Sequence, residues 1–182
     1  MKITRDNVMF LLIDVQERLL PAMSEPEACL NNIEKLAEGM KILGIPSVVT
    51  EQYPKGLGRT DEKLIKALEL SAEDALDKRT FSVFADEIIK SKIEEYDKDY
   101  VIIAGIESHI CVLQTAMDLS EAGFVPVVVE DCVYSRKEND KINAIKRAAM
   151  EGAIITTTES ILFELLDTSL APEFKEISNL IK

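Results

Sequence analysis

Cys111, Asp14 and Lys78 are the residues of this 182-residue chain whose types and positions could do chemistry together. A thiol attacks a carbonyl carbon once a neighbouring base or a lowered pKa has removed its proton. Asp14 could take that proton, and Lys78 could hold the negative charge and orient the carboxylate. Backbone N–H groups around residues 107–111 could stabilise an oxyanion without any side chain. Plainer readings stand beside these: Cys111 as a small packing residue, Asp14 as a cap and Lys78 as a surface lysine. His109, two residues from Cys111, is a second candidate base. Helix-turn packing or substrate contact suits it better, because a nucleophile and its base are normally brought together by the fold.

The elements around these residues explain how they could meet. Residues 8–13 are an unbroken apolar run ending at Asp14, the pattern of a strand buried on both faces. Residues 100–104 are another such run, broken by Gly105. From about His109 the spacing turns helical through Val112, Leu113, Ala116, Met117 and Leu119, and Gly123 ends it. That predicts Cys111 in the first turn of a helix, where free N–H groups and the helix dipole would favour a thiolate. Residues 75–84 read as a short strand and its exit, with Lys78 at the strand's end. Helical periods over 27–43, 60–70, 86–95, 138–151 and 158–166 alternate with strands over 45–50, 125–129 and 153–156, and a weaker helix closes the chain over 172–181. Six alternations of this kind predict an α/β fold of three layers, α/β/α, with a six-stranded, mainly parallel sheet and one domain spanning 1–182. A dinucleotide site is excluded, since the first strand runs into Asp14-Val15-Gln16-Glu17-Arg18 and not into a glycine-rich turn.

Composition narrows the partners. A net charge of −12 disfavours nucleic acid and anionic membranes. No stretch approaches the roughly 18 apolar residues of a membrane span. The N-terminal residues lack the apolar core of a signal peptide, so a cytoplasmic protein is expected. Three cysteines, Cys29, Cys111 and Cys132, show no metal-ligand spacing and are expected as free thiols. Cys29 falls on the apolar face of its helix. The single histidine argues against a His-based metal site.

The chain resembles the isochorismatase-like cysteine hydrolases along essentially its whole length. The residues that carry the likeness are Leu12-Ile13-Asp14-Val15-Gln16, Lys78-Arg79-Thr80-Phe81-Ser82, Gly105-Ile106-Glu107-Ser108-His109-Ile110-Cys111-Val112, and Gln114-Thr115-Ala116. Asp131, Ser135-Arg136 and Thr157-Thr158-Glu159-Ser160 match later signatures. The resemblance implies a triad of Asp14 as acid/base, Lys78 as electrostatic partner and Cys111 as nucleophile. It implies oxyanion donors at the N–H groups of Glu107 and Cys111, a cis peptide between Ile106 and Glu107, and a homo-oligomer. Nicotinamidases of this superfamily place metal ligands after the second strand. Here that place reads Glu51-Gln52-Tyr53-Pro54-Lys55-Gly56-Leu57-Gly58 without a histidine, which implies no metal and no cofactor. A retained cysteine points to a C–N bond in an amide or carbamoyl-type small molecule, cleaved through a thioester. By position, Gln16, Glu51, Gln52, Tyr53, Phe81, Ser82 and His109 are expected to line the substrate pocket. Two alternatives keep the fold and drop the turnover: a ligand-binding module, and a thiol redox regulator in which Cys132 resolves an oxidised Cys111.

Overall fold

The computed structural model describes residues 2–182. Its centre is a six-stranded sheet made of β1 (Val8–Ile13), β2 (Ser47–Gln52), β3 (Leu76–Lys78), β4 (Tyr100–Ile106), β5 (Val125–Tyr134) and β6 (Ile154–Thr156). All neighbouring strands are parallel, in the order β3-β2-β1-β4-β5-β6. The chain builds outward from β1 to β3, then crosses back to lay β4 on the other side of β1. This reversal puts a topological switch point at the carboxyl ends of β1 and β4, the place where ligands bind in open α/β sheets.

The wholly apolar strands follow from burial on both faces. Val8, Phe10 and Leu12 of β1 enter one core, while Met9, Leu11 and Ile13 enter the other. The first core is closed by α1 (Pro26–Ile42), α3 (Glu62–Ala67), α7 (Thr158–Leu166) and α8 (Phe174–Ile181). The second is closed by α4 (Glu87–Glu94), α5 (Leu113–Glu121) and α6 (Glu138–Met150). In α1, Cys29, Ile33, Leu36, Ala37 and Met40 recur at helical spacing and are all buried. A single helical turn, α2 (Pro54–Leu57), lies in the loop after β2.

Three departures from the sequence reading bear on function. Strand β2 runs two residues further than expected, so Glu51 and Gln52 belong to the strand. Strand β5 continues to Tyr134 through a bulge. Ile103 pairs with Val128 but Gly105 pairs with Val133, so residues 129–132 stand opposite Ala104 alone. The bulge is pinned by Asp131, whose carboxylate accepts from the Thr158 N–H at 2.9 Å and whose carbonyl accepts from Asn32 at 3.0 Å. Finally, Ser108–Val112 form a π-turn ahead of α5, a widened winding often found at functional sites.

At Gly105 β4 lies close against Ile13 of β1. At φ 151° this glycine occupies a region that side chains avoid, and a Cβ there would lie 2.3 Å from the Ile13 carbonyl oxygen. The substitution Gly105→Ala is expected to lower stability by at least about 2 kcal/mol in urea unfolding. An unchanged unfolding midpoint would show that the two strands can separate at no cost.

Candidate active site

Asp14, Lys78 and Cys111 come from three strand ends and meet at one edge of the sheet. Asp14 follows β1 in a left-handed conformation, φ 56°, which a short polar side chain tolerates. Its side chain is fully buried. Oδ1 accepts a hydrogen bond from Thr50 Oγ1 at 2.8 Å, and Oδ2 lies 2.7 Å from Lys78 Nζ. Lys78 ends β3, and its ammonium is also fully buried. It donates to Gln52 Oε1 at 2.7 Å and to the carbonyls of Thr80 and Phe81 at 3.1 Å each. A buried ion pair is tolerable only when the remaining donors are satisfied, and here they are.

The charges of Asp14 and Lys78 act on the Cys111 thiol, and no aligned hydrogen bond ties Asp14 Oδ2 to it. Burial, followed by the negative charge of Asp14, pushes the thiol pKa up to about 12, and the pull of Lys78 offsets only part of this. The expected stabilised thiolate is therefore corrected. Cys111 rests as a neutral thiol, because it sits inside the π-turn, 5% exposed, and desolvation outweighs the helix terminus. Activation has to come from a base.

The turn at Glu107 also differs from expectation. No cis peptide occurs among the described residues, so the bond between Ile106 and Glu107 is trans. The chain instead reverses through Glu107 itself, at φ 58° and ψ 58°. A left-handed residue followed by right-handed ones directs successive N–H groups into one concavity that suits an anion. Tyr53, after β2, is the third left-handed residue at this edge, with φ 41°. Strained conformations of this kind persist where the surroundings impose them.

The other expected pocket residues divide into support and rim. Gln16 is fully buried, and its amide is taken by the backbone: it donates to the carbonyls of Gln52 and Gly58 and accepts from the Gln52 N–H. Glu51 is buried, accepts from the Thr60 N–H and Oγ1, and faces Arg59 at 3.0 Å. Both hold the 53–60 loop against β1. Gln52 belongs to the Lys78 cradle. Tyr53 and Phe81 are 43% and 54% exposed at the rim, with the Arg79 guanidinium 4.1 Å from the Tyr53 ring centroid. Ser82 is buried, and its Oγ has no partner.

His109 makes no hydrogen bond to the thiol. Its Nδ1 lies 2.9 Å from Ser135 Oγ and 3.5 Å from the Glu107 carboxylate, which pairs with Arg136 Nε at 2.8 Å. Cys132 belongs to the core on the opposite face of the sheet from Cys111, so a direct link between them would have to cross the sheet. No group of three His, Cys, Asp or Glu residues among the described residues is arranged to hold a metal ion, and no helix is long and apolar enough to cross a membrane. Residue-by-residue reading missed Thr50. Its signal is a lone hydroxyl in the buried run Val48-Val49-Thr50, paired in register with Ile13, one residue before Asp14.

Known proteins carry the same arrangement of chain. The isochorismatase domain matches residues 8–160. Isochorismatase domain-containing protein 1 of Danio rerio is 39% identical over 175 residues, which cover 96% of this chain and 60% of that protein. The chain thus spans about three fifths of the length of that relative. A solved structure described as MAR1 ribonuclease of Caenorhabditis elegans is 36% identical, with a TM-score of 0.91 over 100% of this chain and 92% of that one. The YcaC gene product of Escherichia coli, described as an octameric hydrolase of unknown specificity, shares the fold at 22% identity and a TM-score of 0.89, over 99% of this chain and 94% of that one. With a domain match across most of its length and a relative this similar, the chain belongs to the isochorismatase family.

Proposed function

We propose that this protein is a cysteine hydrolase of C–N bonds in small amide or carbamoyl-type molecules, acting through a thioester on Cys111. The observation that carries this reading is the Asp14 carboxylate, buried 2.7 Å from Lys78, whose charge together with burial keeps the Cys111 thiol neutral. Asp14 Oδ2, which accepts no aligned hydrogen bond, takes the thiol proton as Sγ attacks the carbonyl carbon. The N–H groups of Glu107 and Cys111 receive the oxyanion, each such donor being worth about 2.7–4 kcal/mol in the transition state. The tetrahedral intermediate collapses, the C–N bond breaks, and Asp14 returns the proton to the leaving nitrogen. A water molecule then gives its proton to Asp14 and attacks the thioester. The sulfur leaves and regains its proton, and a carboxylic or carbamic acid is released. Lys78 faces whichever neighbour is negative. Residues 1–182 would act as one domain without a cofactor, and three unpaired thiols suit the cytoplasm.

RNA cleavage is the rival reading, favoured by the description of the 36% identical nematode protein as a ribonuclease. The amide reading is preferred because Lys78, the buried cation at the site, is matched by Asp14, and the chain carries a net charge of −12. A phosphate backbone would meet repulsion. Wild type and Cys111→Ala should be compared on a panel of small amides and on single-stranded RNA. Expected are amide turnover with a mass adduct on Cys111, and loss of at least about a thousandfold in the variant. Turnover equal in the two proteins would sink the nucleophile. Cleavage of RNA alone, dependent on Cys111, would replace the substrate class. Tight amide binding with neither adduct nor product would make this a binding module.

The ion pair gives a second test. Lys78→Met leaves a buried carboxylate unpaired and should cost about 3–5 kcal/mol in urea unfolding, while adding Asp14→Asn should restore part of the loss. Additive losses would show that the two charges do not support each other. Self-association belongs to the same reading, supported by exposed Ile142, Met150 and Ile154 on and beside α6. Light scattering should give a multiple of the monomer mass, and a single monomer mass at working concentration would refute it.

A further inference from the structure

We infer that Thr115 is a positioning residue whose hydroxyl ties the turn carrying Cys111 to the loop that cradles Lys78. This rests on the reading of Cys111 and Lys78 as working partners. Thr115 lies in the first turn of α5 and is fully buried. Its Oγ1 donates to the Cys111 carbonyl at 2.6 Å and accepts from the Val83 N–H at 2.9 Å. The two roles are fixed, because a carbonyl only accepts and an amide N–H only donates. The first bond alone would be ordinary, since helical threonines often bond the carbonyl four residues back. The second is not local: it reaches 32 residues back along the chain.

The far end of that second bond gives it its meaning. Val83 closes the segment whose Thr80 and Phe81 carbonyls accept from Lys78 Nζ. Thr80 Oγ1 also donates to the Ser82 carbonyl at 2.7 Å, so residues 80–83 form one bonded unit. Lys78 stands on β3, a three-residue strand at the sheet edge, and two strands separate it from β4 and the Cys111 turn. The sheet ladder therefore couples the two only through β2 and β1. Among the described residues, the Thr115 hydroxyl makes the one hydrogen bond that joins segment 79–86 directly to segment 107–121. It lies in the core behind the reacting atoms and sets where the ammonium sits relative to the sulfur.

The test reads the geometry at the thiol and needs no substrate. Iodoacetamide alkylation of Cys111, Cys29 and Cys132 is followed by mass spectrometry for wild type, Thr115→Val, Thr115→Ala and Thr115→Ser. In wild type the Cys111 rate should climb with pH, since the thiol is mostly neutral below about 12. Valine keeps the volume and removes the hydroxyl. Without the bridge Lys78 loses its hold near the sulfur, and the Cys111 rate at about pH 8 should fall about tenfold, the equivalent of one pKa unit. Cys29 and Cys132 should stay protected, and Thr115→Ser, which keeps both bonds, should follow wild type. A Cys111 rate in Thr115→Val within about twofold of wild type overturns the proposal. So does exposure of Cys29 and Cys132 in both the valine and alanine variants, which assigns Thr115 to general stability. The outcome is separable from the amide reading, because that reading fails on turnover and adduct formation while the alkylation profile still reports the bridge.

Discussion

The Asp14–Lys78 ion pair is the constraint around which the carboxyl edge of the sheet is arranged. Two opposite charges removed from water cost several kcal/mol each before they attract one another, and the deficit closes only if every remaining donor and acceptor is used. The surroundings follow from that requirement. Thr50 supplies the donor that Asp14 Oδ1 needs. Gln52 ends β2 because Lys78 needs a neutral acceptor. The loop after β3 turns its Thr80 and Phe81 carbonyls inward for the same cation. Gln16 and Glu51, buried and bonded to the neighbouring loop, keep that wall closed to solvent. A chain that placed one charge here without the rest would hold an uncompensated ion in its core.

The architecture was legible because its cause is simple. Strands buried on both faces must be apolar throughout, and helices that cover them must be apolar at a period near 3.6, so the alternation of residues 8–13, 27–43 and 100–104 could be read directly. The triad was legible as three residue types at three strand ends. The strand order that unites them lay beyond local pattern and is seen only in the folded chain, while the resemblance implied the triad roles. Other features were hidden for physical reasons. The β5 bulge depends on Asp131 finding Thr158 and Asn32, contacts made only in the folded state. The π-turn and the left-handed Glu107 replace an expected helical first turn and cis bond, and neither has a residue signature of its own. Gln16 and Glu51 read as pocket residues because polar side chains beside a ligand edge look the same whether they face the ligand or the backbone behind it.

The thiol reverses a common expectation about reactive cysteines, and its charge balance shows why. A thiolate held at rest beside Asp14 would put two negative charges against one ammonium in a buried site. Burial and Asp14 together keep the sulfur protonated instead. Moving the proton from sulfur to Asp14 then leaves the total charge unchanged: carboxylate and thiol become carboxylic acid and thiolate, with Lys78 beside both. No net charge has to be desolvated at the moment of attack, so the barrier depends strongly on distance and direction among the three groups. A site that works this way tolerates a thiol too weakly acidic to react unaided. It demands in return that sulfur, carboxylate and ammonium be fixed relative to one another. The strained turns at Asp14, Tyr53 and Glu107, the close strand approach at Gly105 and the hydrogen bond between the Val83 N–H and Thr115 meet that demand.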